Sequence, residues 1–316
     1  MATADLVREL SLALRERVLP LLGSHAGRAH SDDGAGAGGD VTFAIDEAAE
    51  RFLEEFLAER APDTAFYSED RGLVLPAGHS ASEVLVVDPI DGTRPAMAGL
   101  ESCCVSVAAA PLRDDVRMGD VTVGCVVEIP SGTVFLAERG RGLVEGPAVR
   151  LSPNQRLDRM FWTYGFRGRP ARALTEVLAE LIDASSVGGA TFDLGSAAFD
   201  MTRVITGQLD AYVEPGPLLV DEVPGMRAEF ERVGGGAVLN NSPYDLAGAA
   251  LCVTEAGAVL TDARGRSLDD RPLLGSGADF QMSVVASASP GLHERILDAL
   301  DAGVARVSSG RVEPTA

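Results

Sequence analysis

Two aspartates three residues apart close an apolar run in Val86-Val87-Asp88-Pro89-Ile90-Asp91-Gly92-Thr93. Carboxylates, backbone amides and a hydroxyl are gathered there within a few residues. Such a set can hold a divalent cation against phosphate, because Mg²⁺ takes one or two carboxylates and keeps room for water and phosphate oxygens. On one extended strand, side chains at this offset point to opposite faces, so a turn after Asp88 is expected to bring both acids to one side. Pro89 fixes φ and removes a donor that would compete for the carboxylates. Gly92 and Thr93 are expected to open a helix whose N–H groups form an anion site, with Pro95 tolerated in its first turn. The chemistry expected is attack of water on a phosphate ester. Bound metal lowers the pKa of water, neutralises phosphoryl oxygens and can stabilise the leaving alkoxide in place of a protein acid. His25, His30, His79 and His293 lie outside these segments and are read as surface or structural residues.

Other acids could join this pair, and each has a plainer reading. Glu69 in Ser68-Glu69-Asp70 could be a solvated turn residue, and Asp46 and Asp245 could simply cap helices. Glu214 ends a strand and could pair with an arginine. An Asp-rich turn with a helix cap is common by itself; the whole string from Val86 to Thr93 is far more specific.

A chain of 316 residues can bury a large core in two domains or subdomains. The formal net charge of −20 argues against a nucleic-acid surface, which needs a basic footprint, and would repel an anionic substrate unless metal or arginine inverts the field locally. Cys103, Cys104, Cys125 and Cys252 lie in apolar runs without CxxC spacing, which predicts buried free thiols and a reducing, cytoplasmic setting. Met1 to Arg17 reads as an amphipathic helix rather than a signal peptide, and no apolar run approaches a membrane span.

These residues need elements to position them. Leu6, Val7, Leu10, Leu14, Val18 and Leu21 follow helical spacing. Residues 24–39 read as a mobile glycine-rich loop, and Asp46 as the cap of a second helix. Strands are expected at 66–68, 84–88, 103–110, 120–129 and 132–138. Beyond a boundary near 145–155, strand and helix alternate: helices at 170–183, 196–206, 245–256 and 291–301, strands at 209–214, 258–262 and 281–286. The tail from Ser308 to Ala316 is expected to fray.

The string Asp88 to Thr93, DPIDGT, resembles the central motif of the inositol monophosphatase family, Mg²⁺-dependent and lithium-sensitive phosphatases of sugar and cyclitol phosphates. Asp40-Val41-Thr42 through Asp46, Ser68-Glu69-Asp70, Gly195-Ser196-Ala197-Ala198, Asp210 to Glu214, Tyr244 to Ala249 and Val253 to Gly257 resemble its other segments, in order, over roughly residues 5–300. The resemblance implies a layered αβαβα sandwich, α/β in class. An N-terminal α+β metal-binding half (1–150) would precede a C-terminal α/β half (151–316). It implies two or three Mg²⁺ ions, with Mn²⁺ as a substitute. Glu69, Asp88 and the Ile90 carbonyl would hold one ion, Asp88, Asp91 and Asp245 the second, and Glu69 a weaker third through water. Asp46, Thr93 and Glu69 would be catalytic, the first two orienting and helping to deprotonate the attacking water. Gly92 and Thr93 would bind phosphate, and Glu214 with Gly195, Ser196 and Ala197 would face the alcohol. A homodimer and a small phosphorylated metabolite as partner are the family expectation.

Departures concern the pocket. Arg94-Pro95-Ala96-Met97 follows the motif where the family has an aromatic, so Arg94 either meets a second anionic group or faces solvent. Tyr244 replaces a tryptophan, and Phe192-Asp193 stand where the animal enzymes carry a basic residue. A long insert at about 216–241 separates Glu214 from Asp245. It is expected to border the site as a lid or specificity loop hinged at Gly234-Gly235-Gly236, or else to be a surface excursion. The expected activity is hydrolysis of a phosphate monoester of a polyol, inositol or sugar. Fructose-1,6-bisphosphate, histidinol phosphate and 3′-phosphonucleotides are alternative substrates, and a catalytically weak regulatory or binding member is the alternative of another class.

Overall fold

The apolar residues of the central strands alternate between two destinations, and this alternation builds the layers. In the computed structural model, which describes residues 2–24, 30–35, 41–78 and 80–309, strand β5 (Glu83–Asp91) sends Leu85 and Val87 to one face and Val84 and Val86 to the other. It lies inside a seven-stranded sheet of order β4-β3-β5-β6-β7-β8-β9, with β3 at Ala65–Ser68, β4 at Gly72–Val74, β6 at Cys104–Pro111, β7 at Val123–Glu128, β8 at Val134–Glu138 and β9 at Gly142–Glu145. A second sheet of order β11-β10-β12-β14-β13 contains β10 (Phe161–Tyr164), β11 (Ala190–Phe192), β12 (Ala211–Glu214), β13 (Val259–Thr261) and β14 (Val284–Ser287). A short antiparallel pair, β1 (His30–Ala35) and β2 (Val41–Phe43), precedes them.

Helices cover and separate the sheets. α1 (Thr3–Val18) and α2 (Ala44–Arg60) bury Leu10, Leu14 and Leu53 on the outer face of the larger sheet. α5 (Ala197–Thr206) and α8 (Pro243–Glu255) fill the space between the sheets, where Met201, Leu246 and Leu251 meet Val86, Phe135 and Tyr212. α4 (Ala171–Ser185) and α9 (Pro290–Ser308) close the far side over Trp162, Val213 and Val285. The molecule is the expected αβαβα sandwich, with α3 (Thr93–Ala98) as a short turn beside β5. Helix α8 sits close on β6 and β7: a Cβ on Gly248 would come 2.8 Å from Ser106 Oγ, and one on Gly124 would come 2.5 Å from Gly248 O. Small residues on both surfaces therefore set the depth of α8, whose N-terminus carries Asp245.

Several expectations change. The turn expected after Asp88 is a β-bulge: Asp88 pairs with Ser106 and Asp91 with Cys104, so three steps on β5 oppose two on β6. The extra residue restores the parity that an odd offset would lose, and β5 continues to Asp91. Within the expected 24–39 loop, residues 30–35 form a strand paired with β2. The rest of that loop beyond 24, the start of the Asp40 segment, and the tail from 310 lie outside the described residues, as do His25 and His79. The four cysteines are free and buried. His293 is buried, its ring nitrogens bonded to Thr261 and Ser287 at 2.8 and 2.9 Å, and burial pushes it down to about 4.

The insert is not the hinged lid expected from its glycines. It forms α6 (Gly216–Glu222) and α7 (Met226–Val233), which place Leu218, Leu219, Val223, Met226 and Phe230 in the third apolar core with Trp162 and Leu292. Phe230 is fully buried. Phe230→Ala is expected to destabilise the protein by about 3–5 kcal/mol in urea unfolding, against within about 0.5 kcal/mol for the exposed Asp221→Ala. A loss below about 1 kcal/mol at Phe230 would contradict the structural role of the insert.

Candidate active site

The bulge in β5, the first turn of α8 and the start of α5 meet at the mouth of a cavity of about 390 Å³. Asp88, Asp91 and Asp245 present one carboxylate oxygen each, all within 4.8 Å of one another. Each acid is fixed by a donor acting on one oxygen only. Ile90 N donates to Asp88 Oδ1 at 3.0 Å, and Ser242 N donates to Asp245 Oδ2 at 2.6 Å. Ala198 N and Ser196 Oγ donate to Asp91 Oδ2 at 2.6 and 2.8 Å. Among the described hydrogen bonds the other oxygen of each takes none. Asp245 is not the N-cap of α8; it stands at the third helical position and bonds back to the N–H of the cap, Ser242, as a capping box does.

The cluster is electrostatically costly. Burial, together with Asp91, Asp245 and Glu69, holds the Asp88 carboxyl well above its ordinary range. Burial and Asp91 push Asp245 up to about 8, against the Ser242 N–H and the charges of Arg167 and Arg169. Burial raises Asp91 to about 6, with Ser196 and the first amides of α5 opposing it. Desolvated like charges of this kind call for a compensating cation, and hard oxygen donors with a free lone-pair face fit Mg²⁺ or Mn²⁺. Glu69 lines the same cavity outside this tight trio. Its turn is held from below by buried Glu50, which accepts from Ser68 Oγ at 2.7 Å; burial raises Glu50 to about 7.

Beside the trio, Thr93 Oγ1 lies 3.0 Å from Asp46 Oδ1 and 3.1 Å from the Ile90 carbonyl, and can donate its proton to either. Asp46 also accepts from Phe43 N at 3.0 Å, from the third position of α2 rather than its cap. Gly92 precedes α3 with φ +88°, and a Cβ there would come 2.6 Å from Ser102 O and 2.9 Å from Ser196 Cβ. Only glycine therefore fits between the motif and α5. Arg94 lines the cavity with its guanidinium 5.5 Å from the centre of the Phe43 ring. Tyr244 stacks on Tyr67, ring centres 6.4 Å apart.

Of the residues expected to face the alcohol, three line the cavity and Glu214 does not. Gly195, Ser196 and Ala197 line the cavity, but the Ser196 hydroxyl is committed to Asp91 and to capping α5 through Phe199 N. Glu214 is fully buried and does not line the cavity. It is ion-paired with Arg169, which does, and accepts from Gly216 N at 2.8 Å. Asp193 lines the cavity, as its place among the pocket departures implies, while Arg167, Arg169, Asp200, Asn240 and Asn241 are wall residues that sequence reasoning missed. The aromatic and β-branched run Phe161 to Tyr164 was the available signal, because it marks β10 and so places Arg167 and Arg169 in the loop at that strand's end.

The description "Inositol monophosphatase family" matches residues 4–305. "Fructose-1,6-bisphosphatase/inositol-1-monophosphatase" of Methanothermobacter thermautotrophicus is 28% identical over 275 residues, covering 84% of this chain and 85% of its own. "Nus factor SuhB" of Vibrio cholerae is 25% identical over 258 residues, covering 80% of each. The solved structure of Thermotoga maritima IMPase matches with a TM-score of 0.70 at 20% identity, over 97% of this chain and all of that one, a likeness of fold. No helix among the described residues is long and apolar enough to cross a membrane.

A pH-dependent response to metal follows from the trio. Without metal, these carboxyls bind protons more tightly in the folded protein than in the unfolded chain. Their contribution is therefore complete at low pH and lost as pH rises through about 6 at Asp91 and about 8 at Asp245. A divalent cation replaces those protons as the compensating charge. The rise in Tm on adding Mg²⁺ to chelator-treated protein is expected to be larger at pH 8 than at pH 6 by calorimetry. An equal or smaller rise at pH 8 would contradict the assignment of the trio as a metal centre.

Proposed function

The chain belongs to the inositol monophosphatase family, and from that premise we propose that it hydrolyses the phosphate monoester of a small polyol, inositol or sugar with the help of Mg²⁺. The observation that carries this reading is the convergence of Asp88, Asp91 and Asp245, each with one oxygen fixed by protein donors. Asp88, Asp91, Asp245, Glu69 and the Ile90 carbonyl are the proposed metal-holding groups. Metal bound there supplies an activated water, neutralises phosphoryl charge and stabilises the leaving oxygen.

The chain's own residues orient and move the proton. Thr93 can accept a hydrogen bond from the attacking water while its own proton lies toward Asp46 Oδ1. Asp46, held by Phe43 N, is then the proton's destination. The amides of Gly92 and Thr93 are the proposed phosphate donors, on a backbone whose conformation glycine alone permits. Arg94, Arg167 and Arg169 line the cavity, Arg169 ion-paired with Glu214. Two of them, Arg94 and Arg167, favour a second reading in which the substrate carries another anionic group, as a sugar bisphosphate does. The double name of the Methanothermobacter relative accords with both readings.

The test is Mg²⁺-dependent phosphate release over a panel of phosphorylated metabolites. Asp91→Asn is expected to lower kcat on the best substrate by on the order of 10³-fold, comparable to loss of a positioned charge-stabilising group. Thr93→Ala is expected to lower it by roughly 10²- to 10⁴-fold with little change in KM. Undiminished phosphate release by folded Asp91→Asn would overturn the role given to Asp91, and no Mg²⁺-dependent release by wild type from any ester would leave a binding or regulatory member of the family as the better reading.

A further inference from the structure

Helix α2 carries acids at Asp46, Glu50 and Glu54, a four-residue spacing that places them along one face. Each holds a different piece of chain. Asp46 Oδ1 lies 3.0 Å from Thr93 Oγ1. Glu54 pairs with Arg71 at 2.5 Å. Glu50, between them, is 2% exposed, and its carboxylate is divided between the two neighbours of Glu69. Oε2 accepts from Ser68 Oγ at 2.7 Å, and Oε1 accepts more weakly from Asp70 N at 3.4 Å. Burying a carboxylate is costly unless hydrogen bonds offset the lost hydration. Packing does not call for an acid here, because Ile45, Ala49, Leu53 and Leu57 already seat α2 in the core. Both side-chain bonds of Glu50 go instead to the turn from which Glu69 reaches the cavity.

We propose that Glu50 is a positioning residue for the metal centre, clamping the Ser68-Glu69-Asp70 turn so that Glu69 meets the cation it shares with Asp88. The inference rests on the metal-holding role proposed for Glu69 and extends it to a residue that does not line the cavity. Asp88, Asp91 and Asp245 stand in a strand or a helix, whose geometry sets their direction. Glu69 stands in the turn between β3 and β4, outside the tight trio, so its direction depends on how that turn is held. Groups behind a metal ligand that fix its orientation are typically worth 10- to 100-fold in metal affinity. Because Asp46 and Glu50 lie one turn apart on α2, the same helix sets the spacing between the Thr93 hydroxyl and Glu69. Glutamine at position 50 can keep both contacts, accepting from Asp70 N through Oε1 and donating Nε2 to Ser68 Oγ; alanine keeps neither.

The measurement is a Mn²⁺ titration of the full chain, with the free ion followed by electron paramagnetic resonance. Glu69→Gln and Asp245→Asn identify the ions, since each removes a ligand the other keeps. Glu50→Ala is expected to weaken by roughly 10- to 100-fold the Mn²⁺ that Glu69→Gln weakens, and to leave within about twofold the Mn²⁺ that Asp245→Asn weakens. Glu50→Gln is expected to stay within about threefold of wild type, because it leaves neither contact unmet. In phosphate release, Glu50→Ala is expected to raise the Mg²⁺ concentration for half-maximal rate by a similar factor, with little change in KM for the ester. Where Glu50→Ala does not fold, Ser68→Ala, which removes only the clamped hydroxyl, decides by the same selective weakening. Wild-type Mn²⁺ binding in the folded variant, or equal weakening of both ions, overturns the clamp. A wild type that binds no Mn²⁺ instead removes the metal reading beneath it.

Discussion

Everything around the cavity is arranged to keep three carboxylates together against their own repulsion. Asp88, Asp91 and Asp245 come from the interior of one strand and from a helix start about 150 residues later, and burial makes their charges harder to bear. The device is the same at each: a backbone N–H holds one carboxylate oxygen. At Asp88 that donor is two residues away, inside the bulge. At Asp245 it is the N–H of the helix cap. At Asp91 it is the opening turn of another helix, α5, which ties the middle layer to the larger sheet. The bulge, the close seat of α8 on β6 and β7, and the positive φ at Gly92 are consequences of that single demand.

The same logic accounts for the cavity's charge. A chain of net charge −20 must admit an anion, and the acids that would repel it are those a cation offsets. Beyond them, the wall alternates sign. Arg169 is neutralised by Glu214. Arg94 lies over the Phe43 ring, and Arg167 is exposed.

Local chemistry was legible in the sequence; relations between distant segments were less so. The string Asp88 to Thr93, the order of strands and helices and the four buried thiols could be read because periodicity and turn residues report local structure. The bulge could not, since Pro89 signals a break in regular pairing without saying whether the chain turns or inserts a residue. The run Phe161 to Tyr164 marks a strand and so puts Arg167 and Arg169 in the loop at its end, but nothing local says that this loop borders the cavity. Glu214 was placed on the alcohol side by resemblance, and its burial depends on Arg169, 45 residues away. The insert misled through its glycines: Gly234-Gly235-Gly236 suggests a hinge, while Leu218 and Leu219 in one helix and Phe230 in the next carry the packing.

The central claim is that Asp88, Asp91 and Asp245 jointly hold a divalent cation. Anomalous diffraction from crystals equilibrated with Mn²⁺ tests it directly. The account predicts a peak at roughly 2.1 Å from carboxylate oxygens of these residues, lying toward the cavity on the oxygens opposite those held by Ile90 N, Ala198 N and Ser242 N. Well-ordered crystals with Mn²⁺ bound elsewhere, and none between these three side chains, would contradict it.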